Sequence, residues 1–161
     1  WFLGSQGKKV TLANAEPDDF TIIYPKFPTK FHFAVPSKGI DVTGDYSVFY
    51  DRSQIDICDY YGKNPYGACC YNNNHVTTIE NLSEAEEKRI LVIGDSFKNC
   101  VIPCLGLLVK NVNVLDLRFF TGSVKSYIEE SNPDIVIALC YPFSIAGEVD
   151  HTTHTDMFDF R

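Results

Sequence analysis

Arg89-Ile90-Leu91-Val92-Ile93-Gly94-Asp95-Ser96-Phe97-Lys98-Asn99 is the stretch that decides the fold, because it places a serine where a buried strand turns into a helix. The aliphatic run Ile90 to Ile93 is too short for a helix and is bounded by Gly94, so it reads as a strand buried on both faces. Gly94 permits a sharp turn, and Asp95 or Ser96 can cap a helix expected from Phe97 to about Lys110. Ser96 then lies outside the carboxyl end of a parallel strand, the edge at which open α/β sheets bind ligands. Unpaired helix N–H groups beside it can stabilise an oxyanion, which suits acyl transfer. In the bland alternative Ser96 is only a helix cap in a doubly wound domain.

Downstream, the pattern continues as strand (Val112 to Leu117), helix (Gly122 to Glu130) and strand (Asp134 to Leu139). That alternation predicts parallel strands joined by helical crossovers. Upstream, strand-like runs at Phe20 to Tyr24, Lys30 to Val35, Tyr46 to Tyr50 and Val76 to Ile79 are separated by turns such as Pro36-Ser37-Lys38-Gly39 and Gly62-Lys63-Asn64-Pro65. Residues 82–88 read as a short helix or a charged linker. The organisation is a β-rich irregular segment over 1–88, a βαβαβ core over 89–141 and a tail over 142–161.

Gly94-Asp95-Ser96-Phe97 resembles the nucleophile block of the SGNH (GDSL-type) hydrolases. Val114-Leu115-Asp116-Leu117-Arg118-Phe119-Phe120-Thr121-Gly122-Ser123, Tyr127 to Glu130 and Pro133 to Val136 resemble the C-terminal half of the bacterial DHHW proteins, SGNH-like relatives of the alginate O-acetylation proteins. Asp19 to Phe27 and Tyr61 to Pro65 fit the same family, so the similarity covers most of residues 19 to 141. The resemblance implies an α/β, three-layer SGNH-like fold and an O-acyl, chiefly O-acetyl, esterase or transferase working on a cell-surface or extracellular glycan. It implies Ser96 as nucleophile, with Gly94 among the oxyanion or substrate-binding positions and Asn64 as an oxyanion donor in a Gly-Asn-Pro-like segment. An extracytoplasmic location, an acyl donor and a polysaccharide or cell-wall glycan as partners follow from it, without a cofactor.

The Asp-His-His-Trp motif that names the family does not occur in this chain, and that motif is where the triad's histidine and aspartate are expected. The chain begins at Trp1, so the expectation is a C-terminal part of a longer protein, with the base supplied by a preceding segment. A serine hydroxyl is a poor nucleophile without such a base. Of the four histidines, His32 alternates with phenylalanines as the solvent face of a strand, and His75 follows a polar Asn72-Asn73-Asn74 turn. His151 and His154 lie near Asp150, but neither spacing matches the D-x-x-H block of SGNH enzymes, and a surface tail explains them. Asn64 before Pro65 is also ordinary turn chemistry. Arg118, at the end of a strand on the Ser96 edge, can bind a sugar oxygen, a carboxylate or the acyl oxygen, or else pair with Asp95 or Asp116 as a buttress.

With 161 residues, 45% of them apolar, the chain can bury one good core. A net charge of −7 argues against nucleic acid or an anionic membrane as partner. No apolar run is long enough to span a membrane. The six cysteines show no C-x-x-C pair, which argues against a metal site. Cys100 and Cys104 are expected to face the core, Cys140 to end a buried strand, and Cys58 to reach Cys69 or Cys70 for a disulfide if the domain is exported. Tyr50, Tyr60, Tyr61, Tyr66 and Tyr71 are read first as packing, second as the lining of a carbohydrate site. Two rivals to the enzyme remain: a non-catalytic glycan- or protein-binding module, and a flavodoxin-like binder that lacks a Gly-rich phosphate loop.

Overall fold

In the computed structural model, residues 3, 7, 9–10, 13–17, 19, 21–56 and 64–142 are described. Six strands, β1 (Phe31–Val35), β2 (Ile40–Gly44), β3 (Val76–Asn81), β4 (Glu86–Gly94), β5 (Val109–Leu115) and β6 (Ile135–Leu139), form one sheet in the order β2-β1-β3-β5-β4-β6. β5, β4 and β6 are parallel, while β2, β1 and β3 join antiparallel through the β3–β5 pair. The fold is α/β, but its sheet is mixed where a parallel sheet was expected. β3 docks beside β5, so the upstream segment extends the sheet.

Two short helices, α1 (Ile102–Gly106) and α2 (Val124–Ser131), connect the parallel strands. The four aliphatic residues of β4 divide between the faces, as the period of two requires. Ile90 and Val92 join Phe31, Phe33, Phe49, Ile79, Ile102, Val112 and Val114 in the larger core, whereas Leu91 and Ile93 join Leu115 and Val124 in the smaller one. The register lines up Phe33, Ile79, Val112 and Ile90 across four strands. Burial of such side chains, about 1.5–3 kcal/mol each, is the main force holding the sheet.

Four expectations need correction. The helix from Phe97 to Lys110 is replaced by a 3-10 turn at Ser96–Lys98, the short α1 and then β5, which begins at Val109. Pro103 sits in the first turn of α1, and a proline there cannot donate to the carbonyl of Asn99, so a helix started at Phe97 cannot run through it. Tyr46–Phe49 is likewise a 3-10 turn, with Tyr46 and Phe49 three apart and both buried. Finally, β6 is an edge strand in this structure, with Ile135 and Val136 exposed, so Cys140 ends a partly exposed strand. Residues 21–24 carry no strand.

Candidate active site

The carboxyl ends of β4, β5 and β6 and the start of β3 share one edge of the sheet. Ser96 follows β4, Asp116 and Arg118 follow β5, Tyr141 follows β6, and His75 precedes β3. Topology alone therefore gathers residues from four strands.

Asp95 holds the serine turn. Its buried carboxylate accepts the Phe97 N–H at 2.9 Å through Oδ1 and the Tyr141 N–H at 2.7 Å through Oδ2, tying the turn to the chain leaving β6. The turn's cap is thus Asp95, and Ser96 is left partly exposed beside it. Among the described residues the Ser96 hydroxyl makes no hydrogen bond. The Phe97 amide is taken by Asp95, and the Lys98 and Asn99 amides bond back to Asp95 and Ser96 carbonyls. Among the described residues the amide of this turn left for an oxyanion is Ser96's own, not a row of helix N–H groups.

Gly94 has a different reason from the one expected. Its backbone lies outside the left-handed region, but a Cβ built on it would sit 1.9 Å from the Leu139 carbonyl oxygen of β6. Only a residue without a side chain allows this approach. Gly94→Ala is expected to destabilise the protein by about 1–3 kcal/mol, because the parallel β4–β6 pair must open to admit the methyl group. Urea unfolding checks it; an unchanged midpoint would mean that β6 shifts freely.

Beneath the serine turn lies an ion trio. Lys98, 2% exposed, donates to Asp116 Oδ2 at 2.9 Å and to the Asp95 carbonyl at 3.0 Å. Asp116, fully buried, also receives Arg118 through a fork, Nε to Oδ1 at 2.8 Å and Nη2 to Oδ2 at 2.7 Å, together with the Arg118 N–H at 3.2 Å. Burial works to raise the Asp116 carboxyl, but the Arg118 hydrogen bonds and the Lys98 charge outweigh it and hold it below its ordinary range. Burial lowers the Lys98 ammonium, with Asp116 opposing. Lys98 is the site residue that sequence reasoning missed, since a lysine after a turn reads as surface. Arg118 is the buttress of Asp116, and its guanidinium also lies over the Phe119 ring at 5.3 Å.

Asn64 opens the 3-10 turn Pro65–Ala68, and its Oδ1 is buried with no partner among the described residues. The hydroxyl of Tyr66, two residues on, donates to the Ser96 carbonyl at 2.6 Å, so this turn rests against the serine turn. Burial raises the Tyr66 phenol, which keeps it protonated as a donor. Tyr46 packs on Phe31, Phe49 and Tyr50, and Tyr71 stacks on Phe33, in line with the packing reading. Phe97 and Tyr141 form an exposed aromatic pair, 4.9 Å between centroids, next to Ser96.

His32 bonds Asp41 at 2.7 Å on β1 and β2, at the far side of the sheet. His75 is exposed on the Ser96 edge, its ring stacked on Phe119 and its carbonyl accepting the Asp116 N–H. His151, His154, Asp150, Cys58, Tyr60 and Tyr61 lie outside the described residues. Among the described residues no group of His, Cys, Asp and Glu side chains converges as a metal site, and no helix is long and apolar enough to cross a membrane. Cys100 and Cys104 are exposed, not turned into the core as expected.

Solved structures with this fold exist. Over 91% of this chain and 46% of its own, a DHHW family protein from Eubacterium siraeum superposes with a TM-score of 0.62 at 16% identity. The chain shares its fold with a DHHW family protein. Bacillus cereus PatB1, solved alone and with a sulfonyl adduct, superposes with TM-scores of 0.58 and 0.59 at 22% identity, covering 84% of this chain and 40% of PatB1. The chain thus spans under half the length of the structures it matches. No family model and no curated protein matches it.

Proposed function

We propose that this chain is the serine-bearing part of an SGNH-like O-acyl esterase or transferase acting on a cell-surface or extracellular glycan. The observation that carries the reading is the division of labour in the turn: Asp95 supplies the cap, and Ser96 stands at the carboxyl end of β4, between β5 and β6, with its hydroxyl uncommitted among the described residues. A serine needed only as a cap would hold the amide that Asp95 holds. Under this reading Ser96 Oγ attacks the acyl carbon while a base from a further segment of the protein takes its proton. The oxyanion rests on the Ser96 N–H, with the Asn64 amide as second donor. Collapse of the tetrahedral intermediate releases the sugar oxygen, which takes the proton from the base. Water then gives an esterase, and a sugar hydroxyl a transferase. The exposed Phe97–Tyr141 pair offers flat apolar faces of the kind on which sugar rings pack.

A second reading, a glycan- or protein-binding module on the same fold, draws on the two described histidines, neither of which hydrogen-bonds Ser96. The structure of PatB1 with a sulfonyl adduct supports the enzyme, as sulfonyl electrophiles are captured by nucleophilic side chains. Labelling decides between them. Intact-mass analysis after exposure to a fluorophosphonate is expected to show one adduct on the full-length protein, absent in Ser96→Ala. Labelling of the present chain alone would move the base to His75, His151 or His154. Failure of the full-length protein to label would leave the binding module.

A further inference from the structure

Two thiols from distant parts of the chain meet beside the serine turn. Cys69 Sγ and Cys100 Sγ are 3.4 Å apart, although 31 residues separate them in sequence. Cys69 is buried and held by backbone on both sides: Tyr50 bridges to it, the Cys70 N–H donates to Phe49 and the Asp51 N–H to Ala68. Cys100 is exposed and follows the serine turn, with the Asn99 and Val101 amides bonded to the Ser96 and Lys98 carbonyls. The two segments are already joined by Tyr66 on the Ser96 carbonyl at 2.6 Å and by the Cys70 thiol on the Asn99 carbonyl at 3.6 Å. A disulfide needs its sulfurs about 2.05 Å apart, so closing this pair takes little more than about 1 Å of side-chain movement.

We propose that Cys69 and Cys100 form an exchangeable disulfide that staples the Pro65–Ala68 turn to the turn carrying Ser96. The oxidant is a small-molecule disulfide. The Cys100 thiolate attacks one sulfur of it, forming a mixed disulfide and expelling one thiolate. Cys69 then gives up its proton and attacks Cys100 Sγ, expelling the second thiol and closing the Cys69–Cys100 bond. Two thiols are oxidised in the protein, and one disulfide is reduced to two thiols. Exposure assigns the order, since Cys100 can be reached from solvent while Cys69 is in place to resolve. The thiol–thiol hydrogen bond works in the same sense: it lowers Cys100 against burial, and it pushes Cys69 up.

The alternatives are less well placed. Cys70 is buried with its thiol on a carbonyl, and Cys104 faces the Tyr46 hydroxyl at 3.9 Å. Cys69, Cys100 and Cys104 share one cavity of about 220 Å³ with Ile22, Tyr46 and Tyr50, so Cys104 is the natural control.

The test is to incubate the reduced protein with excess glutathione disulfide, block remaining thiols with a maleimide and map the products by tandem mass spectrometry. A Cys69–Cys100 cross-linked peptide is expected as the dominant product, reversed by dithiothreitol. Cys69→Ser is expected to stop at a glutathione adduct on Cys100, and Cys100→Ser, at an exposed position, to give no cross-link to Cys69. Amide hydrogen exchange over residues 96–101 is expected to slow at least several-fold on oxidation. A persistent glutathione adduct on wild-type Cys100, or dominant pairing through Cys58, Cys104 or Cys140, would overturn the proposal. This outcome is independent of acyl transfer, since no substrate enters the experiment.

Discussion

Asp116→Ala is expected to cost about 3–5 kcal/mol of folding stability, the range for removing one partner of a buried ion pair. The loss arises from what remains. Lys98, 2% exposed, keeps its ammonium with, among the described residues, only the Asp95 carbonyl as a partner, and Arg118 loses its fork. Arg118 can turn toward solvent, whereas Lys98 cannot without opening the serine turn. Lys98→Met should cost less, because Asp116 retains both guanidinium hydrogen bonds. Urea unfolding of the two single variants and the double variant forms a cycle, and a coupling below about 0.5 kcal/mol would show that the pair is not energetically joined.

The acid limb gives an independent reading of the same carboxylate. Asp116 in the folded state lies below its ordinary value, near 3.9 in an unfolded chain. The unfolded chain therefore binds the proton first as pH falls. The stabilising contribution is complete above the unfolded value and disappears as pH drops through the lower folded one. Asp45 and Asp51, also lowered, add to the acid sensitivity of the wild type. The stability gap between wild type and Asp116→Ala isolates Asp116, and should narrow below about pH 4. A gap constant down to pH 2 would mean that the carboxylate is not what stabilises this edge.

The serine turn was legible because its two determinants are local: an aliphatic run buried on both faces, and an Asp-Ser pair at its end. The helix length was not, since it depended on Pro103 and on Val109 being claimed by β5 through pairing with β4. β2 was invisible for a related reason. Ile40-Asp41-Val42-Thr43 does alternate apolar with polar, but the run is short, bounded by Gly39 and Gly44, and lies at the sheet edge with most of its residues exposed. β6 shows the converse, since Ile135 to Leu139 is as aliphatic as β4 but lies at the edge. Hydrophobicity records what a strand can bury, and the neighbours decide what it does bury. Lys98 is not legible because its partner Asp116 follows a different strand, 18 residues away, and nothing in the local pattern distinguishes it from a surface lysine.

If Ser96 is the nucleophile proposed above, Ser96→Ala is expected to lower acyl transfer by the full-length protein about 10³- to 10⁶-fold, the scale on which removing a nucleophile acts. The same change should alter stability by no more than about 0.5 kcal/mol. Both halves follow from the turn. The Phe97 amide is satisfied by Asp95 Oδ1, the Ser96 carbonyl receives Tyr66 and the Asn99 amide, and none of these bonds uses the Ser96 side chain. A serine acting as the cap would behave in the opposite way, losing about 1 kcal/mol on truncation while leaving any activity unchanged. Asp95→Ala supplies the contrast, because it removes the acceptor of two backbone amides and so should carry the loss of stability that Ser96→Ala does not. Hydrolysis of an aryl acetate, followed as kcat/KM beside urea unfolding of each variant, separates the two roles. If Ser96→Ala unfolds at lower urea and retains its rate, the hydroxyl holds the turn and the chemistry lies elsewhere. A collapsed rate with an unchanged midpoint identifies Ser96 as the group that meets the acyl carbon, on a turn whose shape is set by Asp95, Lys98 and Asp116 beneath it.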